Sequence, residues 1–334
     1  MRPALHATLV NGRFGDPAVL VDSLHERRAL LFDLGSLHAL PARQLLRVEA
    51  ALISHAHLDH LIGFDTLLRH LIGRERRVTL VGPAEIAVRI GHKLQGYGWD
   101  LAGSYAAELC FEVVELAPDL SSRRVRFRLA TGFAAEPLGA APPPADGVVL
   151  RLPGLEVRAA PLQHHRAACL GYLLAEVAHV NVWRPVLEAR GLPVGPWLNG
   201  LKQAVLAERG DDHPIPVFAR AGDAPEVLPL GGLREAVSLT PGQRIGYCTD
   251  LADTPGNRAA VQALVRGADL LFLESAFAAA DAELAAARGH LTTRAAGEMA
   301  RAAGVRRVEA FHFSPRYDGE EARLLAEVAE AFAA

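Results

Sequence analysis

The sequence has little cysteine, little net charge and no long apolar run. Its three cysteines, Cys110, Cys169 and Cys248, lie far apart and form no CxxC pair, which argues against a disulfide framework and for a reducing compartment. The formal net charge of −3 excludes a globally basic protein, so nucleic-acid binding would need a local basic surface. Without a membrane-length apolar run or an apolar N-terminal signal segment, we expect a cytoplasmic protein with no membrane partner.

What is present is an ordinary globular composition, with 50% hydrophobic and 22% charged residues in a chain of 334. Strand and helix patterns alternate along the chain and predict a single α/β domain over residues 1–334. A Pro- and Gly-rich stretch at 178–235 predicts an inserted arm. Residues 137–147 have the composition of a loop, and Asp318 is a suitable N-cap for the last helix. Strands are predicted at 18–22, 28–35, 50–55, 78–83, 110–116, 122–130, 155–165, 244–250, 269–277 and 306–313.

Three histidines and an aspartate crowd into six positions directly after one of these apolar runs: His55, His57, Asp59 and His60. Alternate side chains of an extended segment share a face, so His55 and His57 should point the same way. A turn into the following helix lets Asp59 and His60 face the same centre from another side. Imidazoles and a carboxylate suit zinc, and four ligands that cannot all reach one ion predict two ions.

Further ligands should stand where other apolar runs end, because α/β folds place binding groups at the carboxyl ends of strands. His164 or His165 follows one such run, Asp250 ends a second and His312 lies near the end of a third. Asp250 could bridge two ions, because a carboxylate has two oxygens. Asp33 ends an earlier run and is expected to accept a hydrogen bond that orients a ligand imidazole.

These residues resemble a known family. HAHLDH followed by Gly63 resembles the signature of the metallo-β-lactamase fold, and GYCTD, LLFLESAF, GHLTTRAAGEMA and FHFSPRY are similar to segments of ribonuclease Z. The resemblance implies an αβ/βα four-layer sandwich. In PLQHHRAACLGY, the spacing ahead of Gly171 and Tyr172 makes His165 the ligand, whereas the spacing after Pro-Leu favours His164. GLPVGPWLNGLK resembles the motif of an arm that clasps tRNA.

The resemblance also implies cofactors and roles. It implies two Zn²⁺ per subunit, with Mn²⁺ or another divalent ion as a substitute. One zinc would be bound by His55, His57 and His165, the other by Asp59, His60 and His312, with Asp250 bridging them. Asp59 would also orient the attacking water, and Glu274 would hold His290 beside the leaving oxygen. Implied substrate contacts are Gly195, Pro196, Leu201, Ser314 and Arg316.

The implied function is a phosphodiesterase of the ribonuclease Z type, an endonuclease that cleaves tRNA precursors on the 3′ side through a metal-bound hydroxide. The resemblance further implies a homodimer in which the arm of one subunit serves the active site of the other. The glycine-rich TGxGxP loop of the family is replaced by LVNGRFGDP at 9–17, so metal-dependent hydrolysis is better supported than any one substrate. The alternatives are a hydrolase of a small phosphate or sulfate ester, such as a cyclic nucleotide, under a cap at 100–150, and a non-catalytic relative that binds RNA.

Two basic stretches could serve an RNA substrate, residues 69–77 and 123–128. Alternating arginines in the second stretch could follow a phosphate backbone. The same alternation is also typical of the solvated face of a strand.

Overall fold

Two large β-sheets run through the computed structural model of the chain, which describes residues 5–23, 27–165, 167–220 and 222–334. The strands, in chain order, are β1 (Leu5–Leu9), β2 (Val19–Ser23), β3 (Ala29–Phe32), β4 (Val48–Leu52), β5 (Arg76–Pro83), β6 (Leu109–Leu116), β7 (Ser122–Arg128), β8 (Ala135–Ala141), β9 (Val148–Leu152), β10 (Leu155–His164), β11 (Ala167–Glu176), β12 (His179–Val182), β13 (Pro214–Val217), β14 (Glu226–Pro229), β15 (Val237–Thr240), β16 (Arg244–Cys248), β17 (Leu270–Glu274) and β18 (Val308–Phe311).

The first sheet has the order β1-β2-β3-β4-β5-β6-β7-β8. Its central strands β3 to β6 are parallel and its outer pairs are antiparallel. The second sheet has the order β18-β17-β16-β11-β10-β9, and β16, β17 and β18 are parallel. Each large sheet therefore has an edge where the carboxyl ends of parallel strands meet, which is where α/β folds gather binding groups.

Helices connect the strands. They are α1 (Ala42–Leu45), α2 (Leu58–Leu61), α3 (Phe64–Leu71), α4 (Ile86–Gln95), α5 (Arg184–Ala189), α6 (Trp197–Leu206), α7 (Pro255–Val265), α8 (Ala282–Arg288), α9 (Thr293–Ala302) and α10 (Glu321–Ala333). Over the residues that the structure describes, we find no helix whose length and apolar character would allow it to cross a membrane.

Helices α3 and α4 cover the outer face of the first sheet. Phe64, Leu67, Leu68 and Leu71 recur at the spacing of one helix face, and all four are buried in the same core as Ile90 of α4. Helices α7 and α9 cover the outer face of the second sheet in the same way. Apolar positions of these two helices form a core with β17 that includes Val261, Val265, Met299, Leu271 and Leu273.

Aromatic side chains fill the space between the two large sheets. Phe32 of β3 stacks on Tyr247 of β16 with ring centroids 5.0 Å apart, and its ring lies 6.5 Å from that of Tyr172 on β11. The Tyr172 hydroxyl donates a hydrogen bond to the carbonyl of Ile53, 2.8 Å away. The layers run helix, sheet, sheet, helix, which confirms the predicted αβ/βα sandwich.

The chain divides into two compact units. The first consists of Met1–Leu150, Val157–Leu174 and Arg244–Ala334, and the second of Arg151–Glu156 and Ala175–Gln243. The second unit has its own apolar core, which includes Leu187, Trp197, Leu201, Ile215 and Leu233. The predicted arm, 178–235, lies within this second unit.

Every predicted strand overlaps an observed one, although most boundaries differ by a few residues. The predicted loop at 137–147 is wrong in its first part, because residues up to Ala141 form the edge strand β8. An edge strand tolerates Pro137, which faces Val125 next to an irregularity in the pairing. The last helix begins at Glu321 rather than at Asp318, which lies in a turn before it.

Candidate metal centre

The predicted ligands lie at the carboxyl ends of strands in both large sheets, all within the first unit. The run His55–His60 follows β4, and its second half turns into α2, for which His57 is the N-cap residue. Asp250 lies two residues beyond the end of β16, and His312 directly follows β18. The parallel strands of two facing sheets thus bring together residues that are up to 257 positions apart, His55 and His312.

Three of the strand-end residues in or behind the ligand cluster have an unusual backbone conformation. Asp33, Asp250 and His312 have φ values of 55°, 48° and 60°, in the left-handed region that residues with a Cβ rarely adopt. Such a conformation costs on the order of 1–3 kcal/mol and persists where the surrounding structure enforces it, often at functional sites. The three residues all lie in or directly behind one cluster of potential metal ligands.

The first group of potential ligand atoms comes from His55, His57, His164 and Asp250, whose ligand atoms all lie within 4.8 Å of one another. The rings of His55 and His57 are 4.3 Å apart, as the alternation of side chains predicts. The Nε2 atoms of His55 and His164 lie 3.4 Å and 3.6 Å from Oδ2 of Asp250.

The second group consists of Asp59, His60 and His312. Oδ2 of Asp59 lies 3.3 Å from Nε2 of His60 and 3.4 Å from Nε2 of His312. Asp250 stands between the two groups, with Oδ2 3.5 Å from Nε2 of His60 and Oδ1 3.1 Å from Nδ1 of His312. Its two oxygens therefore face both groups, which is the arrangement that a bridging carboxylate requires.

The donor atoms fit divalent metal ions. Nε2 of His55, Nε2 of His60 and Nδ1 of His312 are buried and have no hydrogen-bond partner among the described residues, a condition that folded proteins otherwise avoid. Burial and the neighbouring His60 lower the pKa of His55 to about 2, so its ring stays neutral and can bind a metal. Imidazole and carboxylate ligands in such a set suit zinc and similar cations.

The negative charge of the cluster also suits a cation. Burial opposes ionisation of Asp250, but His312 and His60 hold its pKa well below the ordinary value. Burial likewise opposes ionisation of Asp59, yet the neighbouring imidazoles of His312 and His60 lower its pKa overall. Both carboxyl groups are therefore ionised, and two carboxylates in one buried cluster create the potential that a divalent ion would neutralise.

Asp33 orients His60 from behind, as predicted. Nδ1–H of His60 donates to Oδ2 of Asp33 at 2.8 Å, which leaves Nε2 free to face the cluster. The Asp33 carboxylate is itself fixed by Ser54, through the backbone N–H at 2.6 Å and the hydroxyl at 2.7 Å, and by the Tyr247 hydroxyl at 2.6 Å. Burial and then Asp33 raise the pKa of Tyr247, so this hydroxyl remains a donor. We did not identify Ser54 and Tyr247 from the sequence, although both lie next to or within the motifs.

The histidine pair after β10 is resolved in favour of the first residue. His164 is only 3% exposed and belongs to the first group of ligand atoms, whereas His165 is exposed and belongs to neither group. Nε2 of His165 instead faces the carbonyl of Arg288 at 2.6 Å. The ligand expected at His165 is therefore corrected, and His164 takes its place in the ligand set that we propose.

Metal content distinguishes these two histidines. His164→Ala should lose bound metal, because it removes a buried imidazole that faces Asp250, whereas His165→Ala should retain the wild-type amount. Elemental analysis of the purified proteins after dialysis measures both. Equal loss of metal from the two variants would contradict the assignment.

Glu274 and His290 form a second polar pair beside the cluster. Nδ1 of His290 lies 3.2 Å from both carboxylate oxygens of Glu274, which is fully buried and also accepts a hydrogen bond from the backbone N–H of Leu251. Burial opposes protonation of His290, but Glu274 raises its pKa to about 9. The ring is therefore a cationic acid at neutral pH, close to the ring of His312 at 5.6 Å.

The site opens into a cavity of about 680 Å³. Its wall includes His57, Asp59, His290 and two of the predicted substrate contacts, Ser314 and Arg316. The atypical N-terminal loop supplies Phe14–Pro17, and Arg288 lines the cavity as well. Arg288 was not identified from the sequence, where only its position two residues before His290 could have indicated it.

The remaining predicted substrate contacts lie in the second unit. Leu201 is fully buried in the core of that unit, so its expected contact with a substrate is corrected to a packing role. Gly195 lies where a Cβ would be 2.5 Å from the carbonyl oxygen of Phe218, so it permits a close backbone approach. Pro196 is exposed and precedes α6.

The two basic stretches offer little free positive charge near the site. In the stretch at 123–128, Arg123 pairs with Glu115 at 3.0 Å, and Arg124 and Arg126 pair with Glu112 at 2.9 Å and 3.0 Å. The stretch at 69–77 runs into the start of β5, at the opposite end of this parallel strand from the edge that carries the ligands. This geometry favours the solvated-face interpretation of the alternating arginines.

A four-layer sandwich with His and Asp ligands at its strand ends defines a class of metal-dependent hydrolases. In agreement, residues 18–183 and 214–313 match the family model of the beta-lactamase superfamily domain. A curated Ribonuclease Z of Deinococcus radiodurans is 33% identical over 317 residues, which cover 94% of this chain and 90% of the relative. The chain therefore belongs to the ribonuclease Z family of the β-lactamase superfamily.

Solved structures agree on the fold. The metallo-beta-lactamase fold protein YhfI from Bacillus subtilis superimposes with a TM-score of 0.55 at 15% identity, over 98% of this chain and 92% of that protein. The short form of human tRNase Z superimposes with a TM-score of 0.52 at 16% identity, over 94% and 92%. The family and the fold together make this protein a metal-dependent hydrolase, and the His/Asp cluster is a group of residues that could hold a divalent ion.

Proposed function

We propose that the protein removes the 3′ extension of tRNA precursors, using two zinc ions held by the cluster. One ion would be held by His55, His57 and His164, and the other by a second set, with Asp250 shared between them. That second set consists of Asp59, His60 and His312. The observation that carries the proposal is the position of Asp250, whose two oxygens face both sets of ligands.

The side chains of the cavity can perform phosphodiester hydrolysis. Divalent ions held by these ligands would supply positive charge to the scissile phosphate and would acidify water. The Asp59 carboxylate, partly exposed to the cavity, accepts a hydrogen bond from the attacking water and orients it. As water adds to phosphorus, the bond to the leaving 3′ oxygen breaks, and His290 donates a proton to that oxygen. Glu274, 3.2 Å from Nδ1 of His290, orients the ring and favours its protonated form.

Two arginines of the cavity wall, Arg288 and Arg316, are the proposed contacts to phosphates on either side of the scissile one. These two arginines would supply the phosphate contacts that the paired arginines at 123–128 do not provide. Guanidinium groups bind phosphate oxygens in pairs of parallel hydrogen bonds, which suits them to this task.

Three features of the family complete the proposal. The second unit, with the exposed Pro196, is proposed to contact tRNA away from the scissile bond, and the protein is proposed to act as a homodimer. A cytoplasmic location is proposed because Cys110, Cys169 and Cys248 are all free thiols buried in the first unit.

Cleavage of a 3′-extended tRNA precursor tests the substrate. The purified protein loaded with zinc should cut it at the junction between the tRNA and its extension, and its affinity should fall as salt rises. Arg288→Ala should weaken binding and reduce the slope of log affinity against log salt by about one unit. Arg124→Ala is the matched control, since it removes one exposed arginine that is paired with Glu112, and the slope should not change.

The same preparation should be offered a chromogenic phosphodiester. Hydrolysis of the small ester without cleavage of the precursor would replace the tRNA assignment by a small-ester hydrolase. Binding of the precursor with neither bound metal nor cleavage would indicate a non-catalytic relative instead.

A further inference from the structure

We propose that His165 is a positioning residue, which fixes the backbone ahead of His290 and so places the proton donor at the scissile bond. The inference rests on the proposed function, in which His290 is that donor. His165 was expected to be a metal ligand, and the structure gives this exposed residue a different set of contacts.

The tandem histidines hold two consecutive peptide groups. Nε2–H of His165 donates to the carbonyl of Arg288 at 2.6 Å, and Nδ1–H of His164 donates to the carbonyl of Gly289 at 3.0 Å. These carbonyls end α8, where a helix leaves its last acceptors without partners of its own. The next residue along the chain is His290, so the position of its ring depends on the two peptide groups that the histidine pair holds.

Gly289 shows how closely the His165 ring packs on this segment. A Cβ at Gly289 would lie 2.9 Å from Nε2 and 3.1 Å from Cδ2 of His165, so the ring occupies the space of the missing side chain. Gly289 also has φ = 65°, which lets the chain turn out of α8 toward the cavity. Glycine has the greatest backbone freedom of any residue, so a contact that immobilises Gly289 strongly restricts the position of His290.

The backbone of His165 supports a functional reason for the contact. Its φ is 48°, a left-handed conformation that costs free energy for a residue with a Cβ. The side chain is exposed and lines the cavity, so apolar burial does not compensate for this cost. This backbone conformation places the His165 ring where it donates a hydrogen bond to the carbonyl of Arg288.

The expected consequence is a loss of rate without a loss of metal. A proton donor that is misplaced by about 1 Å can cost about 100-fold in rate. His165→Ala should therefore reduce kcat for a 3′-extended tRNA precursor by about 10- to 100-fold, with KM and metal content near wild type. His165→Gln should recover much of the rate, because a side-chain amide can donate to the same carbonyl.

A double variant separates positioning from a merely structural role. If His165 acts through His290, His165→Ala should cause no further loss of kcat in a His290→Ala background. A full and independent loss in that background would overturn the proposal. Loss of bound metal from His165→Ala alone would also overturn it.

Hydrogen–deuterium exchange supplies a readout that does not depend on activity. In His165→Ala, the amides of residues 286–293 should exchange faster than in wild type, and in His165→Gln they should return toward wild type. Unchanged exchange in His165→Ala would overturn the proposal. If wild type does not cleave the precursor yet exchange changes as expected, the proposed function fails while the contact of His165 with this segment stands.

Discussion

Asp250→Asn should leave the protein folded but remove most of its bound metal and its hydrolytic activity. Among the described residues, Asp250 is the carboxylate whose oxygens face both groups of ligand atoms. Its nearest ligand atoms, at 3.1–3.6 Å, belong to His55, His60, His164 and His312. Asparagine is neutral and has a single side-chain oxygen, so it cannot bridge two ions or balance their charge. Loss of a residue that merely orients a ligand costs about 10- to 100-fold in metal affinity or activity, and loss of a shared ligand should exceed that.

Elemental analysis and the rate of phosphodiester cleavage measure this effect. Asp253→Asn is a matched control, because Asp253 lies three residues away, pairs with Arg258 and takes no part in the cluster. Circular dichroism and thermal unfolding should show that both variants fold. An Asp250→Asn protein that retained two metal ions per chain and wild-type turnover would refute the shared-ligand site.

The local part of the site was predictable because it depends only on the alternation of side chains and on strand ends. His55, His57, Asp59 and His60 lie within one strand-to-helix turn, so sequence spacing almost determines their geometry. The strand-end rule also located Asp250 without any knowledge of the sheet order. No such rule locates Arg288, whose place in the cavity wall depends on how α8 packs.

The choice between His164 and His165 shows why sequence alone rarely decides which of two adjacent residues faces a site. Alternate residues of β10 face the core up to Ala159, but the next buried residue is Leu162, three positions later. The alternation of inward and outward side chains therefore shifts by one residue around Pro161. Counting from Leu162, the next inward position is His164, while counting from Ala159 gives His165. Only the structure shows where this alternation shifts. His165 then lies outside the ligand cluster and can hydrogen-bond to the segment before His290.

The arginine-rich strand β7 is a second feature whose role the sequence alone could not decide. The arginines of β7 alternate as a phosphate track would, and nothing in their own segment distinguishes the two interpretations. Pairing of β7 with β6 places Glu112 opposite Arg126 and Glu115 opposite Arg123. Cross-strand ion pairs of this kind offset part of the positive charge, since Arg124 and Arg126 share Glu112, and they can be predicted only once the partner strand and its register are known.

His290→Ala should retain both metal ions yet lose about 10²- to 10⁴-fold in kcat on a tRNA precursor, the usual contribution of a positioned proton donor. The ring is not among the proposed metal ligands, although its ligand atom lies within 4.8 Å of those of Asp250 and His312, and Glu274 raises its pKa to about 9. The 3′ oxygen of a ribose is a poor leaving group unless it receives a proton as the bond to phosphorus breaks. Removing the imidazole therefore removes the acid without removing the charge that the metal ions provide.

The leaving group makes this prediction specific to proton donation. In bis(p-nitrophenyl) phosphate, the departing p-nitrophenolate is a weak base and needs no proton, so His290→Ala should lose much less activity on it than on the precursor. His92→Ala is the control, since His92 is an exposed residue of α4 and lies outside the catalytic cavity. Equal losses on the two substrates would mean that His290 binds phosphate rather than donating a proton. Wild-type activity of His290→Ala on the precursor would show that His290 takes no part in the mechanism. The hydrogen bonds that His164 and His165 make to the preceding peptide groups would then have no catalytic role.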